Sequence, residues 1–328
     1  MPVSAHVNNE NNRALVVGVA RSGTSWLGMA LSRARNVRYY HEPDFIGAKR
    51  DGSPTLRADG FGAYPVIRPG EDDNPFTPVW DMVFAGTFPF SVGGDGSRLR
   101  PAARAALRVP RWLRQPLTRR AAAVSMRMPR KSRYTVVKTI HSAFSLDWLA
   151  GRYNPEVVAI QRHPLNVVSS WRQLHIAMFD LAARPAIREA YLEPLGIRPP
   201  PADASELTRI AWHVGLLTHV IGDALARHPR WHLVTHEDLC VQPEAAFRGI
   251  FERLGLDWGP AVESFLDANN RPGEGLRPVR VTAEQPDRWR QRLSDAEVDE
   301  IQQVLDRFPR RGWVGEPAGA AEGGRARV

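Results

Sequence analysis

Residues 18–25 read Gly-Val-Ala-Arg-Ser-Gly-Thr-Ser and follow directly on the apolar run Ala14-Leu15-Val16-Val17. Gly18 and Gly23 have the spacing of a nucleotide-binding P-loop, but Thr24 stands where that loop carries its phosphate-binding lysine. The positive charge lies inside the loop instead, at Arg21. Free backbone N–H groups at a helix start attract oxyanions. Ser22, Thr24 and Ser25 add hydroxyls, so the stretch from Arg21 through Gly23 to Ser25 reads as a site for a phosphate-like anion. A triphosphate without the lysine would be poorly neutralised, which argues against ATP or GTP.

Two further groups of reactive side chains sit at the ends of apolar runs. Val157–Gln161 leads into Arg162-His163-Pro164, where Pro164 suits the first turn of a helix. Ser170 lies eight residues beyond Arg162, on a helix whose apolar stripe is Val167, Val168, Trp171 and Leu174. Arg162 and Ser170 can converge on one ligand that lies along the helix start. The run Val37–Tyr40 ends at His41-Glu42-Pro43, and the β-branched run Tyr134–Ile140 carries Lys138 and ends at His141. Trp212 and His213 fall on a long helix and read as structural, although that helix could line a cleft. No metal-ligand spacing appears.

The elements that must position these groups alternate along the chain. Ala14–Gly18, Val37–Tyr40, Tyr134–Ile140, Val157–Gln161 and Trp231–Thr235 read as short buried strands. Between them lie helical patterns from about Thr24, from Pro164, over Leu207, Ile210, Ala211, Val214 and Leu217, and over Pro243–Leu254 with Gly255 as the stop. Ser294 and Glu297 form a capping box before Val298, Ile301, Leu305 and Phe308. This alternation predicts an α/β fold, a P-loop-like parallel β-sheet flanked by helices. The expected organisation is one domain over residues 14–313 between disordered ends at 1–13 and 314–328.

Residues 44–132 break the rhythm. They are rich in Pro, Gly and Arg and read as an insertion or lid. Between Ser97 and Arg133 there are twelve Lys or Arg and no acidic residue. That stretch is either a solvated surface or a contact for an acidic or membrane-bound partner. The whole chain of 328 residues carries a net charge of +9, with 43% hydrophobic and 24% charged residues, which is ordinary for a globular protein with a taste for anions. One cysteine, Cys240, excludes an internal disulfide. The polar first residues and the lack of a long apolar run predict a cytoplasmic protein.

Taken together, Arg21-Ser22-Gly23-Thr24-Ser25-Trp26 and Arg162-His163-Pro164 with Ser170 resemble the sulfotransferases that use 3′-phosphoadenosine 5′-phosphosulfate (PAPS). Lys138-Thr139-Ile140-His141, His236-Glu237-Asp238-Leu239 and Trp289-Arg290 are weaker matches, and residues 44–132 are unmatched. The resemblance implies that PAPS is the co-substrate, with no metal, and that Arg21 to Ser25 hold its 5′-phosphosulfate. It implies that Arg162 and Ser170 hold the 3′-phosphate and that Trp26 stacks on adenine. A guanidinium fork suits a phosphate ester and an indole face suits a purine.

Arg21, in place of the lysine of the cytosolic small-molecule branch, looks closer to the carbohydrate and bacterial glycolipid branch. A sugar hydroxyl on a glycolipid, polysaccharide or glycosylated metabolite is therefore the favoured acceptor, with a phenol or other small alcohol left open. The late Arg-Lys-Gly motif of the cytosolic members is absent, with Arg277 or Arg280 as replacements. Arg21 and Lys138 are candidates to stabilise the leaving oxygen. Glu42 and His141 are the two candidate bases, with Glu42 preferred. A P-loop kinase is the main alternative, and Arg162 at the strand end where a Mg²⁺-binding acid is needed speaks against it. The other is a non-catalytic anion-binding module. Nucleic-acid binding has no motif behind it.

Overall fold

The computed structural model describes residues 12–45, 63–88, 134–272 and 281–309. Five strands form one sheet: β1 (Arg13–Val17), β2 (Val37–His41), β3 (Tyr134–Thr139), β4 (Glu156–Gln161) and β5 (His232–Thr235). Their order is β2-β3-β1-β4-β5, and every neighbouring pair is parallel. The expected fold class is therefore the observed one, with strand limits within a residue of those read from the sequence.

Side-chain alternation splits the sheet into two buried faces. Leu15, Val17, Tyr40, Val137, Val157 and Ala159 face one core. It is closed by α4 (Pro164–Gln173), α5 (Glu206–Arg227) and α9 (Asp295–Leu305). Ala14, Val16, Tyr39, Val136, Val158 and Ile160 face the other. That side is covered by α1 (Thr24–Leu31), α6 (His236–Val241), α7 (Pro243–Leu254) and α8 (Pro260–Asn269). Both faces are covered, so the inner strands β1 and β4 are apolar runs instead of the alternating pattern of a half-exposed sheet, while the edge strands β2 and β5 stay partly exposed. Ser294 and Glu297 close a full capping box on α9.

Residues 63–88 fall inside the stretch read as an insertion, yet they supply core. α2 (Thr77–Phe84) places Trp80 and Phe84, with Phe76 before it, in the first core, where Phe84 stacks on Tyr153 of α3 (Leu146–Tyr153) at 4.7 Å. The Pro-rich flanks of this eight-residue helix hid its period. The basic 97–133 segment, with the membrane contact expected of it, lies outside the described residues, as do Arg277 and Arg280. Among the described residues no helix is long and apolar enough to cross a membrane.

Candidate active site

The strand order sets the site. The chain leaves β1 towards β2 on one side, and after β3 it crosses to β4 on the other. The crevice beyond the carboxyl ends of β1 and β4 is the place where such sheets bind ligands. The loop after β1 and Arg162 after β4 open there. Gly18 starts the loop because a Cβ would lie 2.5 Å from the Ile160 carbonyl oxygen. Gly23 has φ +96°, and a Cβ there would meet His236 Cδ2 at 2.6 Å. Gly23 caps α1 without a side-chain hydrogen bond, leaving the first-turn N–H groups pointed at the crevice.

Arg21 is held with φ +74°, an unusual setting for a non-glycine residue. Its Nε donates to Ser170 Oγ at 3.3 Å. Arg162 donates through Nη1 to the Arg21 carbonyl (3.2 Å) and through Nη2 to the Gln285 carbonyl (3.4 Å). Its buried Nε has no partner among the described residues. Burial pulls this guanidinium down to about 10, with Glu237 opposing. The group stays charged at neutral pH and is short of one hydrogen bond, which suits an anionic ligand. Trp171 donates from Nε1 to the Ala20 carbonyl (2.8 Å) and so braces the loop from α4.

The expected loop residues do not all face one way. Arg21, Gly23, Thr24, Ser25, Trp26, Arg162 and Ser170 line a single cavity of about 760 Å³. Ser22 does not: its side chain borders a separate small pocket near Gln161 and Pro164, and its N–H is taken by the Val19 carbonyl (3.1 Å). Trp26 is 7% exposed and meets Phe247 and His236 edge-on, so most of its indole is core and only part borders the cavity. His236, packed under Gly23, is kept well below the usual histidine range by burial and by Arg162 and Arg21, and is neutral.

The β2 and β3 ends close the same cavity. β2 pairs His41 with Lys138 of β3, and the Glu42 N–H donates to the Lys138 carbonyl at 2.7 Å. The Lys138 ammonium, 2% exposed, donates to Glu42 Oε1 in an ion pair. Burial alone would push the Glu42 carboxyl up, but Lys138 and then His41 outweigh it and hold it at about 2. Glu42 has φ +49°. Asp44, buried, accepts from Thr139 Oγ1 (2.6 Å) and Ser142 Oγ (2.5 Å), and the His141 N–H donates to Thr139 Oγ1 (3.0 Å). This brace sets Glu42 and His141 relative to one another. The His141 ring lies between Phe45 and Tyr64, each with its centroid at 5.3 Å.

Several site residues escaped the sequence reading. Arg288 and Arg292 line the cavity. Asn166 accepts from the Trp289 N–H (3.0 Å) and donates to the Pro286 carbonyl (2.7 Å), tying the 285–292 segment over Arg162. Glu237 accepts from the His163 N–H (3.1 Å), and the His163 ring stacks on Trp289. The match at Trp289-Arg290 was the only signal of this strap. Among the described residues, five cationic side chains (Arg21, Lys138, Arg162, Arg288, Arg292) and one carboxylate (Glu42) line the cavity, a balance that draws in anions.

An anion-binding loop at a topological switch point, with a buried Lys–Glu pair beside it, is an arrangement suited to group transfer from an anionic donor. Residues 14–260 match the model of the sulfotransferase family, and the chain belongs to that family. It is an enzyme of sulfuryl transfer. Solved structures similar to it include the sulfotransferase domain from the curacin biosynthetic pathway, 12% identical over 89% of this chain and 95% of that one, with a TM-score of 0.46. The sulfotransferase domain of the Synechococcus olefin synthase is 15% identical over 89% and 92%, with a TM-score of 0.43. A sulfotransferase of Mycobacterium tuberculosis is 13% identical over 90% and 76%, with a TM-score of 0.42. No curated protein matches the sequence.

Proposed function

We propose that this enzyme transfers the sulfuryl group of PAPS to a hydroxyl of its acceptor, a sugar hydroxyl on a glycolipid or glycosylated metabolite being favoured by the Arg21 form of the loop and the Glu42 context. The observation that carries the donor assignment is the convergence of the α1 start, Arg21, Ser170 and the partly unsatisfied Arg162 guanidinium on one cavity wall. Gly23, with no room for a Cβ, and the uncapped α1 N–H groups form a cradle for the phosphosulfate. Arg162 and Ser170 are the pair for the 3′-phosphate, with Arg288 and Arg292 nearby on the wall. Trp26 offers the adenine an edge and not an open face.

In the proposed reaction the acceptor oxygen attacks sulfur, the bond from sulfur to the 5′-phosphate oxygen breaks, and the acceptor proton passes to a base. The products are a sulfate ester and 3′-phosphoadenosine 5′-phosphate (PAP). Most of the acceleration comes from positioning and from fixed positive charge where the leaving oxygen gains its negative charge. Arg21 and Lys138 supply that charge. Lys138 begins in the ion pair with Glu42, and turning to the donor deprives Glu42 of its counter-ion. Burial then raises the basicity of the carboxylate at the moment the acceptor proton must be taken. This coupling favours Glu42 as the base, with His141 as the second candidate on the same wall.

A calorimetric titration with PAP, ADP and ATP tests the donor. Binding of PAP at least tenfold tighter than ADP is expected. Equal binding of PAP and ADP would refute the 3′-phosphate assignment.

A further inference from the structure

The histidine before Glu42 is gripped from behind. β2 ends in Tyr39-Tyr40-His41, and the alternation of a strand puts Tyr39 and His41 on one face. The Tyr39 hydroxyl lies 2.8 Å from His41 Nδ1, and the two rings meet edge-on with centroids 5.9 Å apart. The other ring nitrogen, Nε2, is 3.7 Å from Glu42 Oε1. Tyr39 is fully buried, and a Cβ on Gly28 of α1 would come within 2.6 Å of its hydroxyl oxygen. The His41 side chain is 32% exposed and lines the cavity. A core hydroxyl and a catalytic carboxylate thus face opposite nitrogens of one imidazole.

This placement decides the tautomer. A tyrosine hydroxyl has one hydrogen to donate. Burial, and then the charge of Glu42, keep the Tyr39 hydroxyl protonated, well above the usual tyrosine range. Among the described residues its one hydrogen-bond partner is His41 Nδ1. A proton on Nδ1 would make the ring the donor and leave the Tyr39 hydrogen unpaired in the core, which folded proteins avoid. Tyr39 therefore donates and Nδ1 accepts. Neutral His41 then carries its proton on Nε2, the nitrogen that faces Glu42. In the resting site Lys138 occupies Glu42 Oε1. His41 Nε2 stands by at 3.7 Å, beyond hydrogen-bond reach.

We infer that Tyr39 locks His41 as the Nε2–H tautomer, and that His41 is the positioning residue that takes over the Glu42 carboxylate when Lys138 turns to the donor. A change in the Glu42 side-chain torsions closes the gap. One carboxylate oxygen then accepts from His41 Nε2–H, and the other is left open to the acceptor hydroxyl. A neutral N–H orients the carboxylate without giving back the positive charge that would weaken it as a base. The acceptor proton goes to Glu42, and His41 neither gains nor loses one. The inference rests on the sulfotransferase reading above and adds to it the control of its base.

The test is spectroscopic and needs no acceptor. The whole chain is labelled with ¹⁵N at its ten histidines, and His41 is assigned by the loss of its signals in His41→Gln. Long-range ¹H–¹⁵N spectra are recorded at pH 8 with and without saturating PAP. The wild type should show Nδ1 bare and Nε2 protonated. Tyr39→Phe, which deletes only the hydroxyl, should raise the Nδ1-protonated fraction at least threefold. PAP should move the wild-type Nε2–H proton downfield and slow its exchange with water at least threefold, and Glu42→Gln should lose at least half of that shift. A wild-type His41 protonated on Nδ1, a tautomer unchanged in folded Tyr39→Phe, or a PAP response that is absent or survives whole in Glu42→Gln overturns the inference. Where Tyr39→Phe does not fold, the wild-type tautomer and the PAP response decide alone. Failure of PAP to bind, seen beforehand by calorimetry, refutes the donor reading instead, and the tautomer lock then stands or falls on the spectra without PAP.

Discussion

Replacing Lys138 with Met tests whether the buried ion pair organises the catalytic end. The Glu42 side chain is 17% exposed and the Lys138 side chain 2%. The fall of the Glu42 carboxyl from 4.5 to about 2 corresponds to ~3 kcal/mol of stability at neutral pH. Because the folded value is depressed, that stability is fully present above pH 4.5 and is lost as the pH falls towards 2. In Lys138→Met the carboxylate stays buried without its ammonium, and removing one partner of a buried pair costs about 3–5 kcal/mol. Urea denaturation at pH 7 should show a loss of that order, shrinking as the pH is lowered from 5 to 3. Glu42→Gln in the Lys138→Met background should recover much of the loss, a coupling of ~2 kcal/mol or more in a double-mutant cycle. A loss independent of pH, with additive single changes, would refute the account and reduce Lys138 to a core-packing residue.

Three further outcomes follow from the geometry. Arg162→Ala removes a charged donor from the cavity wall and should weaken PAP binding ten- to a hundredfold by calorimetry with little change in ADP affinity; unchanged PAP affinity refutes its role. Glu42→Gln should lower kcat by about 10²–10⁴ and keep PAP affinity, and full activity would transfer the base to His141. Gly23→Ala places a methyl against His236 in a left-handed backbone, so thermal unfolding should show a loss of about 1–3 kcal/mol and PAP binding should fall with it. A normal Tm and normal binding would mean that the loop has room to move.

Much of the fold was legible because it is local. A strand buried on both faces must be an apolar run, and β1, β3 and β4 are such runs. Pro164 and the Ser294–Glu297 box mark the starts of their helices through backbone chemistry that needs no distant partner. The anion-binding loop was legible for the same reason, since Gly18, Gly23 and the hydroxyls act within one turn. α2 was not, because a short helix between Pro-rich flanks shows too few apolar positions to reveal a period, although Phe76, Trp80 and Phe84 bury it firmly.

By itself the sequence determined the residue types the chemistry needs: Arg21 in place of a lysine, Arg162 at a strand end, and a carboxylate and a histidine after two other strands. It also determined the parallel α/β class, through hydrophobic runs alternating with amphipathic helices. Only the tertiary structure decided which of those groups meet. The β2–β3 register sets Lys138 beside Glu42 and lowers its basicity, the crossover after β3 brings Arg162 to the loop, and Ser22 turns away while Arg288 and Arg292 arrive from far along the chain. Phe45, Tyr64 and Phe179 reach the cavity wall from segments that span 134 positions of the chain. No local pattern encodes such a meeting, because contact across the sheet depends on strand order and packing, which belong to the whole chain.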